Sequence, residues 1–378
     1  MAVSDRMEVH HSLGDRWRGF RDFLLSSKRF QRLAAAFPLT RPIARRRAHD
    51  LFDLCAGFVY SQVLVACVRL DLFARLRAGP LSLSTLAARA SIPVEAMTTL
   101  LEAAASLGLL ERRGDERYGL GPLGAAMLGN PGIAAMVEHH AALYADLADP
   151  VALLRGEGDD RRLARYWPYA GVAAASGLTR EMVSPYTALM SASQPMVAEM
   201  VLGAYSFSKH RCLLDVGGGD GSFLIAAAKQ APQLELRLFD LPGVAAIARE
   251  KFEREGLSRR AIVAEGNFLS DALPGGADVV SLIRVVHDHD DDAVLNLLSR
   301  VREALPDKGV LVIGEPMSGM SGVDSVSAYF NLYLYAMGSG RPRSFAALQK
   351  LLRQSGFADV RLCKTRIPMI ASVIVARC

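Results

Sequence analysis

Leu213-Leu-Asp-Val-Gly-Gly-Gly-Asp-Gly-Ser-Phe223 reads as a strand that runs into a glycine-rich turn and then into a helix. Three consecutive glycines and Gly221 let the backbone turn tightly and let a ligand approach it closely. Around this stretch, short apolar runs alternate with helical periodicity, and strands are expected over 211–216, 234–239, 261–264, 278–285 and 309–314. The alternation predicts an α/β unit, an open and largely parallel sheet with helices on both faces. Ligands in such sheets gather at the carboxyl ends of the strands.

The chemistry around the turn narrows the ligand. Asp240 lies 19 residues past Gly221, in Phe239-Asp-Leu-Pro, where an acidic residue accepts hydrogen bonds from ribose hydroxyls. A pyrophosphate loop would need glycine at 222, which is Ser222 here. Asp215 and Asp220 add negative charge, which repels pyrophosphate but suits a cationic sulfonium and amino group. The residues therefore point to S-adenosylmethionine rather than to NAD. Asp215, Gly217, Gly219, Asp240 and the adjoining Leu241 are its expected contacts.

The fourth expected strand runs into Arg284-Val-Val-His-Asp-His-Asp-Asp-Asp292 and so carries His287 to the same edge of the sheet. Asp290 to Asp292 precede an expected helix over 293–305 and suit its positive N-terminus. The His-x-His with aspartates over 287–292 has the donors of a divalent-metal site, but no further His or Cys cluster accompanies it, and no metal is expected. A general base is the stronger reading for His287, with Asp288 beside it and Glu315 of Gly-Glu-Pro316 orienting its ring. An aliphatic alcohol has a pKa near 16 against roughly 6.5 for imidazolium, so free alkoxide would cost on the order of 12 kcal/mol. The proton must leave as the methyl group transfers.

The rest of the chain is mostly helical. The 378 residues are 51% hydrophobic and 22% charged, enough for a large core in two or three domains. Five scattered cysteines without a CxxC pair suggest neither disulfides nor a zinc ribbon, and a reducing cytoplasm fits. Residues 81–121 have the outline of a winged helix: a helix over 85–90 capped by Ser84, a second over 94–107, and two small strands about Gly114. That second helix has two glutamates and no Lys or Arg, so packing is favoured over DNA reading, and no nucleic-acid partner is expected. Residues 54–68 are read as a buried core helix, too short to span a bilayer. The net charge of +5 sits at the front: residues 1–50 hold 11 Lys/Arg against 5 Asp/Glu. With an amphipathic helix expected over 17–36, this basic arm suits a solvated face or an anionic membrane surface. The expected divisions are an arm 1–48, a helical winged-helix-like domain 49–175 and a Rossmann-like domain 176–378.

From about Leu51 onward the chain resembles the O-methyltransferase family that includes plant caffeate-type enzymes. The carriers are the glycine loop, Phe239-Asp-Leu-Pro, Val285-Val-His-Asp, Gly314-Glu-Pro and Gly340-Arg-Pro-Arg-Ser344. The resemblance implies an intertwined homodimer made by the N-terminal domain, and it implies roles for His287 as base and Glu315 as its partner. It also implies cofactor contacts at Asn267, Phe268 and Arg284, where Asn267 replaces an Asp that contacts adenine and Arg284 replaces a Lys. His289 stands for a Trp, and Pro342 for a second Glu beside the base. More narrowly, Phe37-Pro-Leu-Thr-Arg-Pro, Leu51-Phe-Asp-Leu-Cys-Ala-Gly-Phe and Ala145-Asp-Leu-Ala-Asp-Pro resemble the hydroxyneurosporene or demethylspheroidene O-methyltransferases of phototrophic bacteria. These methylate the tertiary 1-hydroxyl of acyclic carotenoids. Met190, Tyr329, Phe330, Tyr333 and Met337 are then candidates to line an apolar tunnel, although their spacing alone favours ordinary core. Two alternatives stand: O- or C-methylation of a cyclic polyketide, phenolic or chlorophyll-pathway substrate, and a non-enzymatic regulator that kept the winged helix.

Overall fold

The computed structural model describes residues 12–114, 116–157, 161–167, 178–320, 322 and 324–378. At the front, Ser12 caps α1 (Leu13–Ser26) in a reciprocal bond with Asp15. Ser27 ends that helix and caps α2 (Lys28–Ala36), so the single helix expected over 17–36 is split in two. Pro42 sits in the first turn of the next helix, where its missing N–H has no intrahelical partner to lose. That helix, α3 (Arg41–Arg69), runs unbroken through residue 48, so no linker separates the basic arm from the domain behind it. The buried core helix expected over 54–68 is also corrected. Only Cys67 of α3 is buried, while Leu54 and Phe58 are 81% and 69% exposed. At 29 residues α3 is long and apolar enough to cross a membrane by length and composition.

After α4 (Leu72–Arg75) comes the winged-helix outline: β1 (Leu81–Ser82), α5 (Leu83–Ala90), α6 (Val94–Ser106), β2 (Leu110–Arg113) and β3 (Arg117–Leu120). The strands form an antiparallel sheet in the order β1-β3-β2. Ser82 caps α5, not Ser84; its Oγ accepts the Thr85 N–H at 3.2 Å. Leu86, Met97, Leu101, Leu110 and Tyr118 make the core of this unit. Glu102 of α6 accepts the Tyr118 hydroxyl proton and so works inside the unit. Helices α7 (Pro122–Gly129), α8 (Pro131–Asp146), α9 (Pro150–Leu154) and α10 (Arg162–Tyr166) follow. The domain boundary expected at 175/176 lies outside the described residues.

The long helix α11 (Arg180–Ala204) leads into the large sheet. Its elements are β4 (Cys212–Val216), α12 (Ser222–Gln230), β5 (Glu235–Asp240), α13 (Pro242–Arg254), β6 (Ala261–Glu265), β7 (Val279–Ile283), α14 (Asp291–Ala304) and β8 (Val310–Glu315). Then come α15 (Asp324–Met337), α16 (Phe345–Gln354), β9 (Asp359–Cys363) and β10 (Ser372–Arg377). The sheet order is β6-β5-β4-β7-β8-β10-β9, parallel except for β10, which pairs antiparallel with both neighbours. The last two strands carry no expectation from the sequence. Alternate residues feed two cores: Leu213, Val312 and Val375 on one face, Leu214, Leu311 and Ile374 on the other. The chain order reverses between β4 and β7, which opens a crevice at their carboxyl ends.

Gly221 starts α12 in the left-handed region (φ 80°), and an added Cβ would overlap the Phe252 ring. Gly221→Ala is therefore expected to destabilise the protein by about 1–3 kcal/mol from backbone strain, with the overlap adding to it. A urea melt beside the parent chain checks this, and an unchanged midpoint would contradict it.

Candidate active site

A cavity of about 1010 Å³, counting its open mouth, fills the crevice. It brings together Asp215, Gly217, Gly219, Asp240, Leu241, Asn267, Phe268, Arg284, Asp288 and Met190. His287 and Glu315 lie one layer behind it, against Arg343 and Leu348. Tyr333 and Met337 do not line it; they pack with Leu143, Leu163 and Trp167, and Tyr329 rests on the same cluster.

Two carboxylates in the cavity wall are short of donors. Asp240 is buried and accepts from the backbone N–H groups of Gly219 (2.8 Å) and Leu241 (2.7 Å). Burial pushes it up to about 6, and these two bonds keep it from rising further. Asp215 accepts the Ser281 hydroxyl at 2.6 Å on Oδ1, whereas Oδ2 has no partner among the described residues. Burial pushes this group up to about 7. A buried acceptor without a donor is costly, so the wall is suited to a ligand that brings hydroxyls and positive charge.

The sequence reading counted Asp220 with these charges, but its charge is already met. Burial alone would raise its pKa, yet Lys251 Nζ at 2.6 Å, Ser191 Oγ at 2.5 Å and Ser222 Oγ at 2.7 Å hold it low. Nothing local marks Lys251 or Ser191 for this role, since they come from α13 and α11. Arg284 lines the cavity, and its guanidinium is engaged by α11. Its guanidinium donates to Ser193 Oγ (2.7 Å), Gln194 Oε1 (2.6 Å) and the Met190 carbonyl (2.8 Å), which ties α11 to the end of β7. Asn267 Oδ1 accepts the Leu269 N–H at 2.9 Å, so one of its lone pairs is taken. Phe268 meets His289 edge-on at 5.4 Å, and burial pushes His289 down to about 4, leaving a neutral aromatic wall.

His287 sits in a single 3₁₀ turn, Val286–Asp288, directly after β7. Glu315, 1% exposed at the end of β8, holds that turn. One of its oxygens accepts from the N–H groups of Val285 (3.0 Å) and Val286 (2.7 Å), and the other pairs with His287 Nδ1. His287 Nε2 lies 3.0 Å from Asp288 Oδ1. Burial pulls the imidazole pKa down, but Asp288 and Glu315 outweigh it and hold the ring well above its ordinary range. The Asp288 carboxyl is pushed up, first by its own burial.

The Phe330 ring stands edge-on to His287 at 5.8 Å. Its neighbours on α15 are fixed from α8: Tyr333 hydroxyl with His139 Nε2 at 2.8 Å, and Tyr329 hydroxyl with His140 Nε2 at 2.7 Å. Burial lowers the pKa of both histidines, so the pairs are neutral. These histidines are separated from their partners by about 190 residues and have no local signature.

A model of the O-methyltransferase domain matches residues 144–358, and one of the O-methyltransferase dimerisation domain matches 52–130. The chain belongs to the O-methyltransferase family. The demethylspheroidene O-methyltransferase of Cereibacter sphaeroides is 44% identical over 355 residues, 93% of each chain. That of Rhodobacter capsulatus is 40% identical over 93% of this chain and 87% of its own. Human N-acetylserotonin methyltransferase, solved with S-adenosylmethionine, shares the fold with a TM-score of 0.71 at 24% identity, over 88% of this chain and 97% of that one. This O-methyltransferase is therefore an enzyme whose methyl donor is S-adenosylmethionine, and the two donor-poor carboxylates fit that cationic, hydroxyl-bearing molecule.

A pH dependence of binding follows. Asp215, raised to about 7, must be ionised to meet a cation, so affinity falls as pH drops below that value. Calorimetric titration with S-adenosylmethionine is expected to show roughly tenfold tighter binding at pH 8 than at pH 6, with proton release near pH 7. Affinity that does not change with pH would count against an ionised Asp215 in the complex.

Proposed function

We propose that this O-methyltransferase methylates the tertiary 1-hydroxyl of an acyclic hydroxycarotenoid of the spheroidene or spirilloxanthin type. The carrying observation is 44% identity with a demethylspheroidene O-methyltransferase, extending over 93% of both chains. The aromatic, uncharged cluster of Phe330, Tyr329 and Tyr333 beside His287 supports an apolar acceptor.

In this reading Asp240 accepts from a ribose diol, Asp215 faces positive charge, and Gly217, Gly219, Leu241, Asn267, Phe268 and Arg284 complete the cofactor wall. S-adenosylmethionine supplies an electrophilic methyl group on a sulfonium. His287 takes the acceptor's proton on Nε2, and Glu315 fixes the ring through Nδ1 and stabilises its charged form. Asp288 leaves Nε2 as the hydroxyl arrives. Met190 lines the cavity, and Tyr329, Tyr333 and Met337 would back an acceptor from the packed cluster that holds Phe330. The carboxylates make the imidazole more basic, which narrows the gap to the alcohol. At neutral pH they also keep it protonated.

The same reading covers the exposed front of the chain. A second copy covers the apolar face of α3 at Leu51, Phe52 and Phe58, giving a homodimer through the dimerisation domain. Trp17, Phe20, Phe23 and Leu33 are exposed on α1 and α2 among arginines, and residues 12–48 hold 10 Lys/Arg against 2 Asp/Glu. Such helices lie in the interface of an anionic membrane, where an apolar acceptor dissolves. Residues 1–11 of the basic arm lie outside the described residues.

The main experiment is transfer of labelled methyl to 1-hydroxyneurosporene in detergent. Turnover by the parent chain is expected. His287→Ala is expected to lower kcat by about 10²–10⁴-fold while leaving S-adenosylmethionine binding intact. Turnover of phenolic or cyclic acceptors alone would overturn the substrate class. Because free His287 is the active form and its pKa is raised, kcat is expected to climb as pH rises from 7 toward 9. A plateau already reached at pH 7 would contradict that. Replacing Trp17, Phe20 and Phe23 by Ser is expected to abolish cosedimentation with vesicles rich in phosphatidylglycerol, and equal binding by parent and variant would remove the membrane element.

A further inference from the structure

The turn that carries His287 ends a strand, and its backbone carbonyls have no ladder to enter. Each of the four carbonyls from Val286 to His289 nevertheless accepts a hydrogen bond, and every donor comes from residues 339–343. Ser339 Oγ donates to the Asp288 carbonyl at 2.7 Å. The Arg341 N–H donates to the His287 carbonyl at 2.8 Å. Arg343 spans the turn, with Nη1 on the Val286 carbonyl at 2.8 Å and Nη2 on the His289 carbonyl at 2.7 Å. Its Nε donates to Asp291 at the start of α14 at 2.8 Å, and Arg341 pairs with the same carboxylate. Gly340 lies in the left-handed region (φ 78°) so close to this backbone that a Cβ would overlap the His287 carbonyl oxygen. Glu315 holds the N–H side of the turn, so the segment is gripped from both sides.

We propose that residues 339–343 form a clamp that positions the base, with Arg343 as its central positioning residue. The inference rests on His287 being the general base. Arg343 is 4% exposed and lies outside the cofactor cavity, so it reaches the chemistry only through the turn. A planar guanidinium is suited to this: five fixed donors can hold two carbonyls and a carboxylate at once, which an ammonium on a flexible stem cannot. The resemblance would put a second glutamate at Pro342, beside the base. Here the loop offers no carboxylate and acts on the backbone instead.

The charged groups facing His287 are Asp288 on its own turn, Glu315 on β8 and Arg284 at the end of β7; α15 presents the uncharged Phe330. Loosening the turn would release the imidazole from its carboxylates. Arg343→Gln is therefore expected to lower kcat by roughly 10–100-fold, a geometric loss of the size seen for displaced catalytic groups. Binding of S-adenosylmethionine should stay within about threefold, and the acid limb of the kcat profile should move down toward the ordinary imidazole value. A normal kcat, or a loss with an unmoved acid limb and parallel loss of cofactor binding, would overturn the clamp. Ser339→Ala removes one bond only and serves if Arg343→Gln does not fold; the same shift in smaller measure is expected, and a parental profile would refute it. His287→Ala separates the two readings. Full activity there sinks the base itself, whereas an impaired His287→Ala beside an unperturbed Arg343→Gln sinks only the clamp.

Discussion

A carboxylate at 1% exposure is costly unless its lone pairs are met, and Glu315 has them met by two backbone N–H groups and one imidazole. That requirement joins the sheet to the chemistry. Glu315 is the last residue of β8, in register with Ser372 of β10, and β8 runs parallel to β7. The carboxylate therefore reaches the point where β7 stops and its chain must turn. Take it away and the Val285 and Val286 N–H groups are left buried without acceptors, and the histidine loses its orientation and one of its two negative neighbours. Fold and site depend on the same three bonds.

The parts of this arrangement that were legible in the sequence are those set by local pattern. Short apolar runs between helical segments located five strands to within a residue or two at most ends. The spacing from the glycine turn to Asp240 set Gly219 and Asp240 at one cavity, because a strand–turn–helix–strand unit fixes the distance between its two carboxyl ends. His287 and Glu315 could be paired because adjacent parallel strands end on one edge.

What escaped the sequence was set by partners far away along the chain. Periodicity in 54–68 says that α3 has an apolar face, but not whether its own domain or a second copy covers it. Lys251 neutralises Asp220 from another helix, and Arg284 turns its guanidinium to α11, so formal charge near the glycine loop misjudged what remains free for a ligand. Tyr333 and Met337 look alike as core or as pocket wall, and only the three-dimensional packing places them in the cluster beside Phe330. The strands after residue 314 went unread, although Val373-Ile-Val-Ala376 is a continuous apolar run of the kind a buried strand shows.

The Asp288 carboxylate lies on the nitrogen that an incoming hydroxyl would need. With His287 as base, the resting enzyme carries its own stand-in guest. Water that drifts into the cavity meets an imidazole already engaged by that carboxylate and reaches the ring only by displacing it. A bulky alcohol that fills the aromatic wall brings enough contact to evict the carboxylate; a small one does not. On that proposal, selectivity against water would rest on competition within the protein.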